Sequence, residues 1–586
     1  MQGRTKTDQT INGTCWLLTQ IKTRPIMTSD FRSVPVVDVH MDNFKDVWPS
    51  LTLAIKSATF VAIDTELSGL GNKRLLNAKS IDDRYASISN VAKTRSIIAL
   101  GISCFKLNSV VEQTCTPADI SSDKKVTVKQ WSFLAQTFNI VVLCGEDYVV
   151  EPSSLKFLIS HGFDFNRQYA TGLSYYRGND RNMKPSLSVR DLFSVLLEAN
   201  APVVFHNALV DLVFLYQSFY ANLPSSCTTF LADLTEMYGG GIYDTKYITE
   251  YRERLTASYL EFVFRKCQRA NAYRSQEWRT EVCLEFAKYP ASCVDVTQRF
   301  CGLPSVAVEL GYIPNKDHLH NSLCDVFASH GWCPRDAKCH QSHDIDMIID
   351  MEGLKMANKR RKRKRRHHRT PEESSPQADD NTNKNPVSDN CSESDTTDVQ
   401  TDVQMDDCQA VSTILCDDEK ENSESSVLGD HQTSSTTVTS GDGCKENVTR
   451  TNTSSSVSNS HVIDISITTD ITKPDAPEPC ISILCPEVKN GGKESVVEEA
   501  RSGGHRAGYD AFMTGFSMAF FAAKYGKVPE SCSGKIVLSD LGLEDMHNKI
   551  YLCGKDIPMS IFKSAFTKTS KDHREKFQKL RHPRVV

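Results

Sequence analysis

Phe60-Val-Ala-Ile-Asp-Thr-Glu-Leu67 is an apolar, β-prone stretch that carries two acids two positions apart, Asp64 and Glu66. Side chains at positions i and i+2 of a strand point to the same face of a sheet, roughly 7 Å apart. Carboxylates are rarely buried unless they are paired or bind a metal ion. The stretch therefore predicts two carboxylates aimed at one spot on a mostly buried sheet. The alternative is a strand end at which both acids reach water.

The segments around this strand predict an α/β fold. The predicted strands are 60–66, 95–107, 138–144, 202–207, 242–247 and 549–553. The predicted helices are a short one between the first two strands and 153–160, 189–198, 209–220 and 508–521. Early strands joined as an antiparallel set, followed by strands that alternate with helices, indicate a mixed sheet with helices on both faces.

Composition divides the chain into segments. Between about residues 370 and 500 the sequence is rich in Ser, Thr, Asp, Glu and Asn, with few aromatic residues, and cannot bury enough apolar surface to order itself. We therefore expect a folded part that is split by an insertion. The expected segments are a flexible tail (1–34), a first core part (35–315), a metal finger (318–348), a basic run (359–369), a disordered acidic linker (370–500), a second core part (501–570) and a tail (571–586).

Charge and cysteine content exclude several classes of protein. The 586 residues carry a net charge of only −5 and include 20 cysteines, yet no signal peptide precedes them. No apolar run approaches the roughly 18 residues of a membrane span. We expect a soluble intracellular protein without a membrane partner, whose thiols are reduced apart from one metal site.

Two later motifs supply further acids. His206-Asn207-x-x-x-Asp211 opens a helix after a buried strand. A non-catalytic alternative for Asp211 is a favourable interaction with the helix dipole. His505-Arg-Ala-Gly-Tyr-Asp510 opens the late apolar helix, with His505 on the entry turn. We expect His206 and Asn207 to support the site rather than to act in it, and Asp244 to be a hydrogen-bonding acid at a strand end.

In this order, Asp-x-Glu on a strand, Asp on a later helix and a final His-x4-Asp resemble the h subtype of the DEDD exonuclease superfamily. The resemblance implies a ribonuclease H-like fold and two Mg²⁺ or Mn²⁺ ions. It implies that Asp64 bridges both ions, that Glu66, Asp211 and Asp510 complete their shell, and that His505 is the general base. The charges support such a site, because carboxylates about 5 Å apart repel by roughly 3 kcal/mol per pair and divalent cations would neutralise them.

Cys324-x8-Cys333-x5-Cys339-x3-His343 has the ligand types and order of a CCCH zinc finger. One structural Zn²⁺ would supply most of the folding energy of so small a unit. His340 is an alternative fourth ligand that the spacing disfavours. Phe327 and Trp332 lie between the ligands and could stack RNA bases, while a purely structural or protein-binding finger stays open.

Residues 359–369, Lys-Arg-Arg-Lys-Arg-Lys-Arg-Arg-His-His-Arg, form a dense basic run. It indicates a nuclear localisation signal read by the import machinery, a nucleic-acid contact, or both. The alternative is a merely solvated charge run.

Together, these motifs resemble a nuclear member of the Caf-one deadenylase family. The resemblance implies a 3′-to-5′ exoribonuclease that releases 5′-monophosphates from RNA with a free 3′ end. It further implies adenylated tails and small nuclear RNAs, with their ribonucleoproteins, as partners, and residence in the nucleus, in Cajal bodies, the nucleolus or speckles. One alternative is an RNA-binding adaptor with an inactive nuclease fold. Another is a DNA 3′ exonuclease, because the acid set does not distinguish ribose from deoxyribose.

Overall fold

A computed structural model describes residues 33–115, 126–180, 187–276, 280–289, 293–302, 323–335, 338–367, 506–530 and 534–581. The strands are β1 Ser33–Val39, β2 Phe60–Leu67, β3 Ile97–Cys115, β4 Val126–Cys144, β5 Leu173–Tyr175, β6 Val203–Phe205, β7 Ile242–Asp244, β8 Thr280–Phe286, β9 Val296–Phe300, β10 Lys549–Ile550 and β11 Met559–Ser560. The α-helices are α1 Phe44–Ser57, α2 Lys73–Leu76, α3 Ile81–Thr94, α4 Pro152–Ser160, α5 Phe165–Thr171, α6 Val189–Glu198, α7 Leu209–Leu215, α8 Cys227–Met237, α9 Thr245–Tyr247, α10 Leu260–Gln276, α11 Asp325–His330, α12 Ile345–His367, α13 Ala507–Tyr525 and α14 Lys571–Arg581.

The strands form one mixed sheet in the order β11-β10-β7-β6-β2-β3-β4-β1-β9, and β5 and β8 also pair with β4. Strands β2, β3 and β4 are antiparallel, whereas β2, β6, β7 and β10 run parallel. The predicted α/β mixed sheet with an early antiparallel set is therefore confirmed.

Successive side chains of β2 point alternately into two core layers, one on each face of the sheet. Val61 and Ile63 join a cluster that contains residues of α1, α3, α6 and α7. Phe60 and Ala62 join a second cluster, which contains residues of α10 and α13. Because each fully buried large apolar side chain contributes about 1.5–3 kcal/mol, both layers hold the central strand firmly. Helices thus cover both faces, as expected.

Helix α13 lies in the second layer although its residues follow the rest of the nuclease sequence by about two hundred positions. Residues 510–523 of this helix are all buried. A helix that is buried all round must pack inside a larger core. The late segment therefore completes the sheet's second layer, and the fold requires both parts of the sequence.

Several element boundaries differ from expectation. Strands β3 and β4 are 19 residues each because their polar ends pair with each other through the backbone, beyond the apolar stretches that the sequence marks. The strand expected over 242–247 ends at Asp244, whose side chain accepts hydrogen bonds from the backbone of Lys246 and Tyr247 and starts α9. Of the strand expected over 549–553, only Lys549 and Ile550 pair. The helix expected over 209–220 becomes π-helical at Tyr216–Tyr220.

The expected tail at 571–586 is wrong over Lys571–Arg581, which form α14. His573 is fully buried. Its Nδ1 lies 2.9 Å from the hydroxyl of Tyr220 and its Nε2 lies 2.9 Å from a carboxylate oxygen of Glu236. A buried histidine with two polar partners fixes this helix to the first core layer.

Other expectations fall outside the described residues. These are the N-terminal tail up to residue 32, the acidic linker and the last residues of the chain, 582–586. Strand β1 begins at Ser33, slightly before the expected start of the folded part. Among the described helices, none combines the length and apolarity that crossing a membrane requires.

Candidate active site and metal-binding finger

Asp64 and Glu66 lie on the part of β2 that extends beyond β6. The parallel pairing with β6 includes only Val61 and Ala62, whereas the antiparallel pairing with β3 continues past both acids. Asp64 is opposite Gly101 in that register. The two acids therefore share a strand face next to the point where β6 ends and its chain turns into α7.

Close packing against β3 brings the third acid to the same place. A Cβ atom on Gly101 would lie 1.8 Å from the carbonyl oxygen of Ala507, so the start of α13 lies directly on the backbone of β3. A Cβ atom on Gly508 would lie 2.8 Å from the Cβ of Asn139 on β4. These contacts place Asp510, in the first turn of α13, beside the pair on β2.

A buried polar network that the sequence analysis missed holds this helix start. The carboxylate of Asp38 accepts hydrogen bonds from Asn139 Nδ2 at 3.0 Å and from Arg506 Nη1 at 3.3 Å. Arg167 Nη1 donates to the same carboxylate at 3.2 Å. Asn139 Oδ1 accepts from the backbone of Gly508 at 3.2 Å. The signal was available, because Asp38 interrupts an apolar strand, Val36-Val-Asp-Val39, just as Asp64 does.

One carboxylate oxygen each from Asp64, Glu66 and Asp510 lie within 4.8 Å of one another. Glu66 is 7% and Asp510 5% exposed. Burial, followed by the charges of Asp510 and the other neighbouring acids, holds the pKa of Asp64 well above its usual range. A divalent cation at this cluster would favour the charged form of Asp64.

Asp211 approaches from the other side of β2. Thr65 Oγ1 donates a hydrogen bond to its Oδ1 at 2.5 Å. Burial raises the pKa of Asp211 to about 7, although the hydrogen bond from Thr65 favours the charged form. Asp211 is outside the set of three close oxygens, but its charge contributes to the raised pKa of Asp64.

The donor set fits hard divalent cations. Carboxylate oxygens are the ligands that Mg²⁺ and Mn²⁺ prefer, and a site of this kind needs only a few of them. Divalent charge would also remove the repulsion that raises the pKa of Asp64. The residues present therefore fit the metal site expected from the sequence. His505, the expected base, lies outside the described residues.

Comparison with known proteins gives the family. A family model described as "CAF1 family ribonuclease" matches this sequence over residues 39–187 and 179–518, which is more than half of the chain. The chain belongs to the CAF1 family of ribonucleases.

Individual relatives are more distant than the family match. Over 168 residues, 28% of this chain and 36% of the other, the chain is 32% identical to uncharacterized protein C29A10.09c of Schizosaccharomyces pombe. It is 26% identical to poly(A)-specific ribonuclease PARN of Xenopus laevis over 146 residues, 24% of this chain and 21% of that one. Human PARN is 26% identical over 148 residues, with 24% and 21% covered. The chain thus spans about a third of the first relative's length and a fifth of the PARN chains.

Among solved structures, the Mg²⁺- and Mn²⁺-bound form of S. pombe Pop2p aligns with a TM-score of 0.29 and 18% identity, covering 40% of this chain and 82% of that one. The ribonuclease domain of yeast Pop2 aligns with a TM-score of 0.28 and 16% identity, covering 40% and 76%.

Two groups next to the acids of this CAF1-family chain have supporting roles. Asp244, fully buried, accepts hydrogen bonds from the backbone N–H groups of Asn207 and Tyr551, each at 2.9 Å. It thereby joins the turn before α7 to the last part of the chain. His206 Nε2 lies 2.8 Å from the carbonyl oxygen of Ser258, and burial lowers the pKa of His206 to about 3. His206 is therefore neutral and structural.

The four expected finger ligands come together in space. One donor atom each from Cys324, Cys333, Cys339 and His343 lie within 4.8 Å of one another. The sulfur atoms of Cys324 and Cys333 are 3.7 Å apart. Tetrahedral zinc with Zn–S bonds of about 2.3 Å requires sulfur atoms roughly 3.8 Å apart, so this pair fits the ion. His340 is exposed and is not in the cluster.

The two finger aromatics have different surroundings. The ring of Phe327 stacks on the imidazole of His343, with centroids 4.3 Å apart and planes 6° from parallel. The edge of Tyr259 packs against Phe327 at 6.1 Å. Because Phe327 packs inside the finger, its surroundings favour a structural role over base stacking. Trp332 is half-buried, and Lys73 Nζ lies 5.8 Å from its ring centroid.

Proposed function

We propose that this protein is a 3′-to-5′ exoribonuclease that removes adenylate tails and releases 5′-monophosphates. The observation that supports this most strongly is the convergence of Asp64, Glu66 and Asp510 within 4.8 Å. The acids come from the two ends of the sequence, and a bound divalent cation would offset their mutual repulsion. Family membership supports ribonuclease chemistry, and the resemblance to PARN supports adenylate tails as substrate.

In this proposal the four acids hold two Mg²⁺ or Mn²⁺ ions. When bound, such ions activate water and stabilise the leaving oxygen of a phosphodiester. The chain's own residues prepare the site. Thr65 orients Asp211, while Asp38 and Asn139 hold the helix start that carries Asp510. We assign to His505 the acceptance of a proton from the attacking water, because imidazole titrates near neutral pH.

The decisive assay uses purified full-length protein, Mg²⁺ and matched RNA and DNA oligonucleotides with a 5′ label and an adenylate tail. We expect stepwise shortening of the RNA from its 3′ end with release of AMP, and loss of this activity in Asp64→Asn. Binding of RNA without cleavage would establish the adaptor alternative. Equal shortening of the DNA would establish a DNA exonuclease.

We further propose a nuclear role in trimming the tails of small nuclear RNAs, in association with their ribonucleoproteins. The combination of nuclease motifs, finger and basic run resembles the nuclear exonuclease called target of early growth response protein one, which suggests Cajal bodies as the location. Residues 359–367 of the basic run continue α12. Deletion of 359–369 should move a fluorescently tagged protein to the cytoplasm by removing its import signal. Nuclear fluorescence equal to that of the intact protein would refute this location signal.

The finger completes the proposal with one structural Zn²⁺ held by the three cysteines and His343. Thiolates and imidazole are the ligands that zinc prefers, and metal binding would provide most of the finger's folding energy.

A further inference from the structure

An open cleft lies beside the chain segments that carry the acids. Its walls include Asn207 and Val210, which lie four residues and one residue before Asp211, and Leu70, which follows Glu66 by four. Arg84 links the far walls, since its Nη2 donates to the carbonyl oxygens of Ala78 at 3.1 Å and Cys553 at 3.0 Å. The cleft is therefore bordered by the chain segments that follow Glu66 and precede Asp211, and its lining includes the cationic side chains of Lys73 and Arg84.

The finger reaches the edge of this cleft. Lys73 lines the cleft, is exposed, and places its ammonium group 5.8 Å from the ring centroid of Trp332. This distance is within the roughly 6 Å at which a cation and an aromatic face attract each other. A finger side chain and a nuclease side chain thus meet at the mouth of the cleft.

Extensive contacts fix the finger in this position. A Cβ atom on Gly331, next to Trp332, would lie 2.6 Å from the ring of Tyr259, so the finger and the segment before α10 are in close contact there. Tyr259 adjoins Ser258, whose carbonyl oxygen holds His206. Tyr259 also belongs to an apolar cluster with residues of α12.

Ion pairs between α10 and α12 add to this attachment. Arg269 pairs with Asp346 at 3.3 Å and also with Asp350, and Lys266 pairs with Glu352. Helix α12 follows the finger directly and continues into the basic run, so these ion pairs also fix the start of the helix that carries that run.

We propose that Trp332 and Lys73 form a nucleotide-binding subsite for single-stranded RNA upstream of the nucleotide at the acids. A base stacks on the indole in the place that the ammonium group occupies, and the released ammonium binds the adjoining phosphate. Stacking on an aromatic face is tolerant of base identity, and a lysine binds phosphate as a point charge. This proposal rests on the proposed exoribonuclease function, which places the RNA's 3′ end at the acids.

The test measures RNA binding to the full-length, zinc-loaded chain carrying Asp510→Asn to prevent cleavage. The probes are a short (trinucleotide) and a long 5′-fluorescent oligoadenylate. We expect Trp332→Ala to weaken binding of the long probe by roughly 5- to 150-fold, the range of one lost base stack. Lys73→Met should weaken it too, and lower the slope of log affinity against log salt by about 0.7, as loss of one phosphate contact with a single strand does.

Matched controls separate this effect from general surface changes. Phe566 is 97% exposed and lies outside the cleft, so Phe566→Ala should bind the long probe as the parent does. Lys571→Met removes a lysine whose side chain is 80% exposed and should leave the salt slope unchanged. Zinc content and melting temperature confirm that each variant folds. If Trp332→Ala loses zinc, Trp332→Leu and Lys73→Met decide the question, because leucine keeps apolar volume at this position but offers no aromatic face for stacking.

The outcomes distinguish this proposal from the proposed function. Unchanged affinity in both Lys73→Met and Trp332→Leu, with an unchanged salt slope in Lys73→Met, would overturn the subsite, even if the wild-type chain shortens RNA normally. Equal losses for the short and long probes would overturn its upstream position. If the wild-type chain binds RNA but does not cleave it, the exonuclease function fails, while the larger loss for the long probe would still establish the subsite.

Discussion

Replacement of Gly101 by alanine should disable the proposed nuclease while leaving most of the sheet intact. The new Cβ would lie 1.8 Å from the carbonyl oxygen of Ala507, 2.1 Å from its carbonyl carbon and 2.6 Å from the nitrogen of Gly508. All three atoms are backbone, so no side-chain rotation relieves the overlap. The start of α13 must therefore move away from β3.

The size of this movement follows from the distances. An ordinary contact begins at 3.4 Å, so the carbonyl oxygen must withdraw by 1.6 Å, the difference between 3.4 and 1.8 Å. Asp510 is three residues further along the same helix and moves with it, away from Asp64 and Glu66. A displacement of about 1 Å in a catalytic constellation can cost roughly 100-fold in rate, or about 2.7 kcal/mol. We expect Gly101→Ala to lose at least this much in kcat/KM.

The assay is shortening of a labelled adenylate-tailed RNA in Mg²⁺, with melting temperature and zinc content measured in parallel. Gly353→Ala is the matched control, because Gly353 lies on α12 and its Cβ would have no atom within 4 Å. Its activity should equal that of the wild type. Wild-type kcat/KM in Gly101→Ala would show that the contact between β3 and α13 does not position Asp510, and would refute the reasoning.

Three further predictions test the acids, the finger and the buried histidine. Asp510→Asn should reduce hydrolysis by about 1,000-fold or more, since metal ligands supply several kcal/mol of transition-state stabilisation. In EDTA the same substitution should raise the melting temperature, because it relieves carboxylate repulsion. A lower melting temperature would contradict the electrostatic account. Cys339→Ser should abolish zinc binding measured by elemental analysis, whereas Cys293→Ser, outside the finger, should retain it; zinc retained in both would refute the ligand assignment. The pKa of His206 falls from 6.5 unfolded to about 3 folded, so the unfolded chain binds the extra proton and stability is lost as pH falls from 6.5 towards 3, by up to about 5 kcal/mol. His206→Asn should make the free energy of unfolding, measured by denaturant titration, depend less on pH across that range. An unchanged pH dependence would show that His206 is not the titrating group.

Local pattern alone was enough to predict much of the molecule. The strand bearing Asp64 and Glu66 and the helix Val189–Glu198 have the predicted positions, because alternation and 3.6-residue periodicity reflect burial along a single element. The finger ligands follow from spacing, because a metal ion constrains residues that are close in sequence. The mixed sheet follows from the order of elements.

Contacts between segments that are distant in the sequence could not be predicted from local sequence patterns. The sequence marks Asp38 as an acid in an apolar strand, but only the folded chain brings it to Arg506 and Asn139. The helix over Lys571–Arg581 was missed for the same reason, since a partner far away in the chain stabilises it. The polar ends of β3 and β4 were missed because they pair with each other through the backbone, which apolar periodicity does not reveal.

The sequence by itself determined which residues of this protein are chemically unusual: acids in apolar segments, thiols at metal spacing and a dense basic run. Only the tertiary structure decided which of them meet. It placed the start of α13, which carries Asp510, against β3 through a contact that glycine alone permits, and it placed the Lys73 ammonium over the ring of Trp332 at the edge of the cleft. The physical reason is that residue type and periodicity record how each element is buried, whereas the meeting of two elements depends on the shapes of both surfaces, which no single segment encodes.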